Sequence, residues 1–99
     1  AQVTISRGYP VTMNHPAQTD FAVAVATSVA GKGKVNPNVA PVMGGEDFSY
    51  MLEARPGAFI FMGNGDSAFL HHPEYDFNDD AIPHGVSYWV SLAEAALAP

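Results

Sequence analysis

Gly57-Ala58-Phe59-Ile60-Phe61-Met62-Gly63 is an unbroken apolar run between two glycines, with aromatic and β-branched side chains at its centre. Such a run reads as a strand buried on both faces, because a strand with one face in water would alternate with polar residues. Residues 57–63 therefore predict the middle of a sheet. Upstream, Val3 and Ile5 alternate with Thr4 and Ser6, the period of two expected of an edge or antiparallel strand, and Gly8-Tyr9-Pro10 closes the segment. Between these stretches Phe21, Val25 and Val29 recur every fourth residue among alanines. With Asn14 or Thr19 as cap, Pro16 in the first turn and Gly31 at the end, that spacing predicts a helix over 16–30. Residues 31–45 are rich in breakers and read as connections with at most a short strand near 39–42. Glu46 and Asp47 place negative charge at the positive end of a short helix over 45–54, which Pro56 stops. Residues 64–80 carry no periodicity, and Val86, Trp89, Val90, Ala93 and Leu97 then mark a third helix over 81–97 with Trp89 on its core face.

This alternation predicts an α/β fold, an incomplete open sheet with helices packed on it. Ninety-nine residues suffice for one body but supply only two or three strands. A central strand needs hydrogen-bonded neighbours on both sides, so further chain or a partner chain is expected to complete the sheet. The opening Ala1-Gln2-Val3-Thr4-Ile5, already in a strand pattern, fits a fragment of a longer protein. Ten acidic against four basic residues give a net charge of −6, which repels phosphate backbones and anionic membrane surfaces. The expectation is a soluble, cytoplasmic chain that binds neither nucleic acid nor membrane. Without cysteine, any metal here is held by nitrogen and oxygen.

Open α/β sheets bind ligands beyond the carboxyl ends of their strands, which directs attention to the loop after residue 63. It contains Leu70-His71-His72-Pro73-Glu74-Tyr75-Asp76. Imidazole is the commonest metal ligand, and a histidine held before a proline among acids suits that role, although two solvated loop histidines are the more frequent meaning of such a pair taken alone. Gly44-Gly45 and Gly63-Asn64-Gly65 are turn sequences whose amides could face an anion, but neither is followed by the lysine and hydroxyl residue of a phosphate loop. Glu46 and Asp47 read first as helix-dipole partners and second as a base or metal carboxylate. His15 reads as a surface turn residue and His84 as a packing or capping one. No serine elbow or cysteine nucleophile is present.

Four blocks in order carry a resemblance: Gly8-Tyr9-Pro10 with Thr12-Met13-Asn14, Met43-Gly44-Gly45-Glu46-Asp47-Phe48, Pro56-Gly57 through Gly63-Asn64-Gly65, and Leu70-His71-His72-Pro73 through His84-Gly85-Val86. Together they resemble the C-terminal part of the zinc amidohydrolases of the aminoacylase and carboxypeptidase metallopeptidase superfamily. The similarity is greatest to the branch of hippurate hydrolase, N-acyl-L-amino-acid amidohydrolase and the plant indole-acetyl-amino-acid hydrolases. The resemblance implies a catalytic domain with two metals and an inserted lid domain that commonly forms a homodimer. Residues 1–10 would be the last lid strand and residues 11–99 the C-terminal portion of the catalytic domain. It implies His71 as a metal ligand, at the first position of a His-x-Pro motif, with His72 at the variable position. It also raises Gly45 as a substrate-binding residue, although Glu46 replaces the hydroxyl residue of some relatives. The implied cofactor is zinc, two ions per site, with manganese, cobalt or nickel as alternatives. The implied substrate is an N-acyl or N-aroyl amino acid. The glutamate base and the other ligands would lie in the rest of the parent chain, so these 99 residues alone are expected to be inactive. A non-catalytic α/β module assembling with another chain is the alternative.

Overall fold

Pro16, with its backbone φ preset for helix and no amide hydrogen to leave unpaired, occupies the first turn of α1 (Pro16–Ala30) in the computed structural model, which describes residues 1–99. Gly31 ends the helix at φ 89°, a conformation that glycine adopts without Cβ strain, and its amide donates to the Thr27 carbonyl at 2.9 Å. Neither predicted cap acts as one. Thr19 lies inside the helix and its hydroxyl donates back to the His15 carbonyl, whereas the Asn14 side chain is engaged elsewhere. The second helix, α2 (Phe48–Ala54), starts three residues later than predicted because Glu46 closes the preceding turn. Its carboxylate accepts from the Phe48 amide at 3.0 Å, and its carbonyl accepts from the hydroxyl of the fully buried Ser49 at 2.6 Å. Arg55, next to Pro56, is extended as that position requires. The third helix, α3 (Ala81–Leu97), spans the predicted range.

Helices α1 and α3 pack on each other, burying Ala22 and Val25 from one side and Ala81 and Tyr88 from the other. Ala81 and Tyr88 are seven residues apart, two turns of helix, and so share a face. Trp89 falls one step round the helix and is 63% exposed against 8% for Tyr88, so the predicted core face of α3 is displaced by one residue. Burial also pushes the Tyr88 phenol above its ordinary pKa.

The expected α/β sheet is absent. The structure has three helices and no strand, neither over 1–8, near 39–42, nor over 57–63. Of 39 backbone–backbone hydrogen bonds 28 lie within the helices, and the remainder close turns and caps except for His15 N–H to the Gly57 carbonyl at 3.0 Å. Extended segments become a sheet only by pairing, and no second segment lies alongside residues 57–63 as a ladder. Their backbone is held instead by side chains. The Asn14 amide donates to the Phe59 carbonyl and accepts from the Phe59 amide, both at 2.8 Å, as a neighbouring strand residue would. His15 Nδ1 accepts from the Gly57 amide at 3.2 Å, so His15 is half-buried and partnered, not a free surface residue. Val3, Ile5, Val39 and Val42 stay exposed, and Phe61 and Met62 at the end of the apolar run are exposed as well. The Cα radius of gyration is 16.5 Å, well above the roughly 13 Å of a close-packed domain of this size.

Candidate functional site

The segment from Asn64 to Asp80 is a tied loop, not a disordered connection. Asn64 lies at its base. The side-chain oxygen accepts from the Asn78 amide at 2.9 Å, while the side-chain nitrogen donates to the Asp76 carbonyl at 2.8 Å and to the Ser67 hydroxyl at 3.1 Å. Beyond this knot the Asn78 carbonyl accepts from the amide of Ala81, the buried first residue of α3, so the knot is fixed to the helix pair. At the far end two turns follow in succession, with His72 N–H donating to the Phe69 carbonyl and Tyr75 N–H to the His72 carbonyl, each at 3.0 Å.

These turns give the two adjacent histidines different roles. His72 Nδ1 accepts from the Glu74 amide at 3.1 Å, which folds its ring back on its own loop. His71 is the one non-glycine residue of the chain with positive φ, at 67°. Its ring is exposed and takes part in no hydrogen bond of the loop. A side chain in the left-handed region costs on the order of 1–3 kcal/mol and persists only where its surroundings impose it. His71 therefore presents an uncommitted imidazole from a constrained backbone.

The donor set around it is incomplete. No group of three or more histidine, cysteine, aspartate or glutamate side chains comes together anywhere in the chain. His71 suits a metal as one nitrogen donor with its lone pair free, and the remaining donors of a closed coordination shell are not supplied by these 99 residues. Beside the loop a polar cleft of about 580 Å³ is lined by Asn64, Asp66, Ser67, Glu74, Asp76 and Asp79 among others, but neither histidine belongs to it.

Gly45 lies away from this loop, just ahead of α2. A Cβ built on it would stand 2.9 Å from Tyr9 Cδ2, and Tyr9 in turn meets Tyr50 of α2 edge-on at 5.9 Å between ring centroids. A larger side chain at this position would therefore have to displace an aromatic ring of the N-terminal segment. Gly44, its neighbour, has open space around it. His84 is exposed on α3, with no hydrogen bond tying its ring to the loop. Asn14 and Asn64 escape the sequence reading: asparagine before a helix reads as a cap and asparagine between glycines as a turn. In both places the amide instead reaches backbone far away in sequence.

The model of the peptidase family M20/M25/M40 matches residues 1–95. Hippurate hydrolase of Campylobacter jejuni is 37% identical over 84 residues, 85% of this chain and 22% of that protein. Thermostable carboxypeptidase 2 of Saccharolobus solfataricus is 36% identical over 95 residues, 91% of this chain and 22% of its own length. IAA-amino acid hydrolase ILR1-like 2 of Arabidopsis thaliana is 45% identical over 58 residues, 54% of this chain and 13% of that enzyme. No solved structure matches. The chain spans about a fifth of the length of the first two of these relatives, and with a family match that runs along nearly all of its residues, it belongs to the peptidase family M20/M25/M40.

Proposed function

We propose that this chain is the C-terminal part of a metal-dependent amidohydrolase that cleaves the amide bond of N-acyl or N-aroyl amino acids, hippurate-like in structure. The observation that carries the reading is the free imidazole of His71, on a backbone in the left-handed region, in a chain that the family matches over 1–95. The substrate class is supported by the similarity to hippurate hydrolase over 85% of the chain. His71 would hold one metal of a pair, zinc being the leading candidate, with the other ligands and the proton-accepting carboxylate supplied from outside these residues. The chemistry such metals supply when bound is acidification of a water for attack on the acyl carbonyl. Cleavage breaks the C–N bond, leaving a carboxylic acid and a free amino acid. Division of the chain at residue 10 into lid and catalytic portions, and pairing of two copies through the lid, belong to the same reading. No helix is long and apolar enough to cross a membrane.

The test is release of glycine from hippurate by the purified full-length protein, before and after removal and return of zinc. Release that stops with the chelator and returns with the metal is expected, and no release from hippurate or any other N-acyl amino acid would overturn the assignment. The isolated 99-residue chain is expected to release none. Within this reading Gly45 approaches the substrate carboxylate. Gly45→Val in the full-length enzyme is therefore expected to raise KM severalfold and, because Tyr9 is half-exposed and able to swing aside, to cost only about 1 kcal/mol of stability. An unchanged KM would remove Gly45 from the substrate site and leave it a partner of Tyr9 alone.

A further inference from the structure

We infer that Asn64 is a positioning residue for His71, through the knot it ties at the base of the loop; this rests on the reading of His71 as a metal ligand. Three hydrogen bonds converge on one side chain, and two of them span 12 and 14 residues of sequence, closing the segment that carries His71. The chemistry at the knot demands an amide. One partner is a backbone donor, the Asn78 N–H, and the other is a backbone acceptor, the Asp76 carbonyl. A carboxylate offers only acceptors, so aspartate would satisfy the first partner and set an oxygen against the second. The orientation of the amide is equally fixed, since turning it over would oppose donor to donor and acceptor to acceptor.

Closure at this point matters because no other hydrogen bond links the two limbs of the loop at its base. The hydrogen bonds around the histidines join residues three apart or nearer: Phe69 to His72, His72 to Glu74, His72 to Tyr75. They shape the tip without fixing where it stands relative to the helices. Asn64 provides that fixture, because its partner Asn78 also receives the Ala81 amide at the start of α3. Gly65 follows the knot at φ 89°, and a Cβ there would come within 3.4 Å of Asn78 Nδ2, so the turn is fitted closely to the knot. Held in this way, the left-handed backbone at His71 keeps its imidazole turned outward. Released, the loop samples conformations in which that imidazole no longer meets the other ligands.

The test uses the full-length enzyme, zinc as the probe and competition with a chromophoric chelator as the readout. Outer partners of metal ligands typically change affinity by about 10–100-fold. Asn64→Ala and Asn64→Asp are each expected to weaken zinc binding at least about tenfold, with hydrolysis recovered when zinc is raised. Introduced into His71→Ala, Asn64→Ala is expected to weaken zinc binding no further. Hydrogen–deuterium exchange over 65–77 in the zinc-free protein should quicken in Asn64→Ala, independently of catalysis. Zinc affinity unchanged in both Asn64 variants while His71→Ala loses zinc would overturn the positioning role and spare the ligand reading. Full additivity in the double variant would likewise overturn it, marking Asn64 as a general stabiliser. Full zinc retention in His71→Ala would instead bring down the ligand reading and this inference with it. Should Asn64→Ala not fold, Asn64→Asp, which keeps the acceptor for Asn78, decides between these outcomes.

Discussion

On the proposed reading of His71 as a ligand to one of two metals, His71→Ala in the full-length protein is expected to lose that metal and at least about a hundredfold in hydrolysis, whereas His72→Ser should retain both metals and most of the turnover. The contrast follows from the loop backbone. His72 Nδ1 is already used by the Glu74 amide, and a serine hydroxyl is also able to accept from the amide two residues on, so the turn survives the exchange. His71 has no such local duty, its exposed ring making no hydrogen bond within the loop. Metal content by elemental analysis and hydrolysis of hippurate, measured side by side on both variants, check the expectation. Equal metal loss in the two would show a shared role for the pair. Full occupancy in His71→Ala would return the motif to a solvated loop.

Asn14→Ala should lower the stability of the full-length protein by about 2 kcal/mol, since two hydrogen bonds of about 1 kcal/mol each are removed at once. Both involve the backbone of Phe59, whose ring packs near Phe48 and Phe61 at centroid distances of 5.6 and 5.2 Å. The lesion therefore loosens an aromatic cluster as well as the backbone. Asn14→Asp should rescue little, because it keeps the acceptor for the Phe59 amide and sets an oxygen against the Phe59 carbonyl. Chemical denaturation checks this as a drop in midpoint. A midpoint unchanged in Asn14→Ala would mean that the His15–Gly57 contacts hold the segment unaided.

Helices were the legible part of this chain because their hydrogen bonds are local. Pro16, Gly31 and the four-residue spacing of Phe21, Val25 and Val29 bound α1 correctly, and α3 occupies the range its apolar periodicity marks. Strands were not legible, since an apolar run such as Ala58–Met62 declares what its side chains prefer and says nothing of which backbone will pair with it. That is why the predicted sheet fails while the helices stand. The loop histidines show a similar division. Composition locates the pair, but the difference between them lies in a turn amide and one dihedral angle. Asn64 is harder still to see, for a Gly-Asn-Gly sequence looks the same whether its amide faces water or ties together residues 12 and 14 positions away.

The principal extents of 59 × 37 × 20 Å describe a slab. An α-helix with its side chains is roughly 10–12 Å across, so the slab is about two helices thick and has room for only a thin interior. Six of 99 residues are buried. Heat capacity registers this directly, because the increment on unfolding scales with the apolar surface newly exposed to water. For these residues on their own the increment is expected to fall below the roughly 1.2–1.5 kcal/mol/K typical of a domain of about 100 residues. Their free energy of unfolding is then expected to curve less with temperature than that of a close-packed domain, which calorimetry on the isolated residues checks.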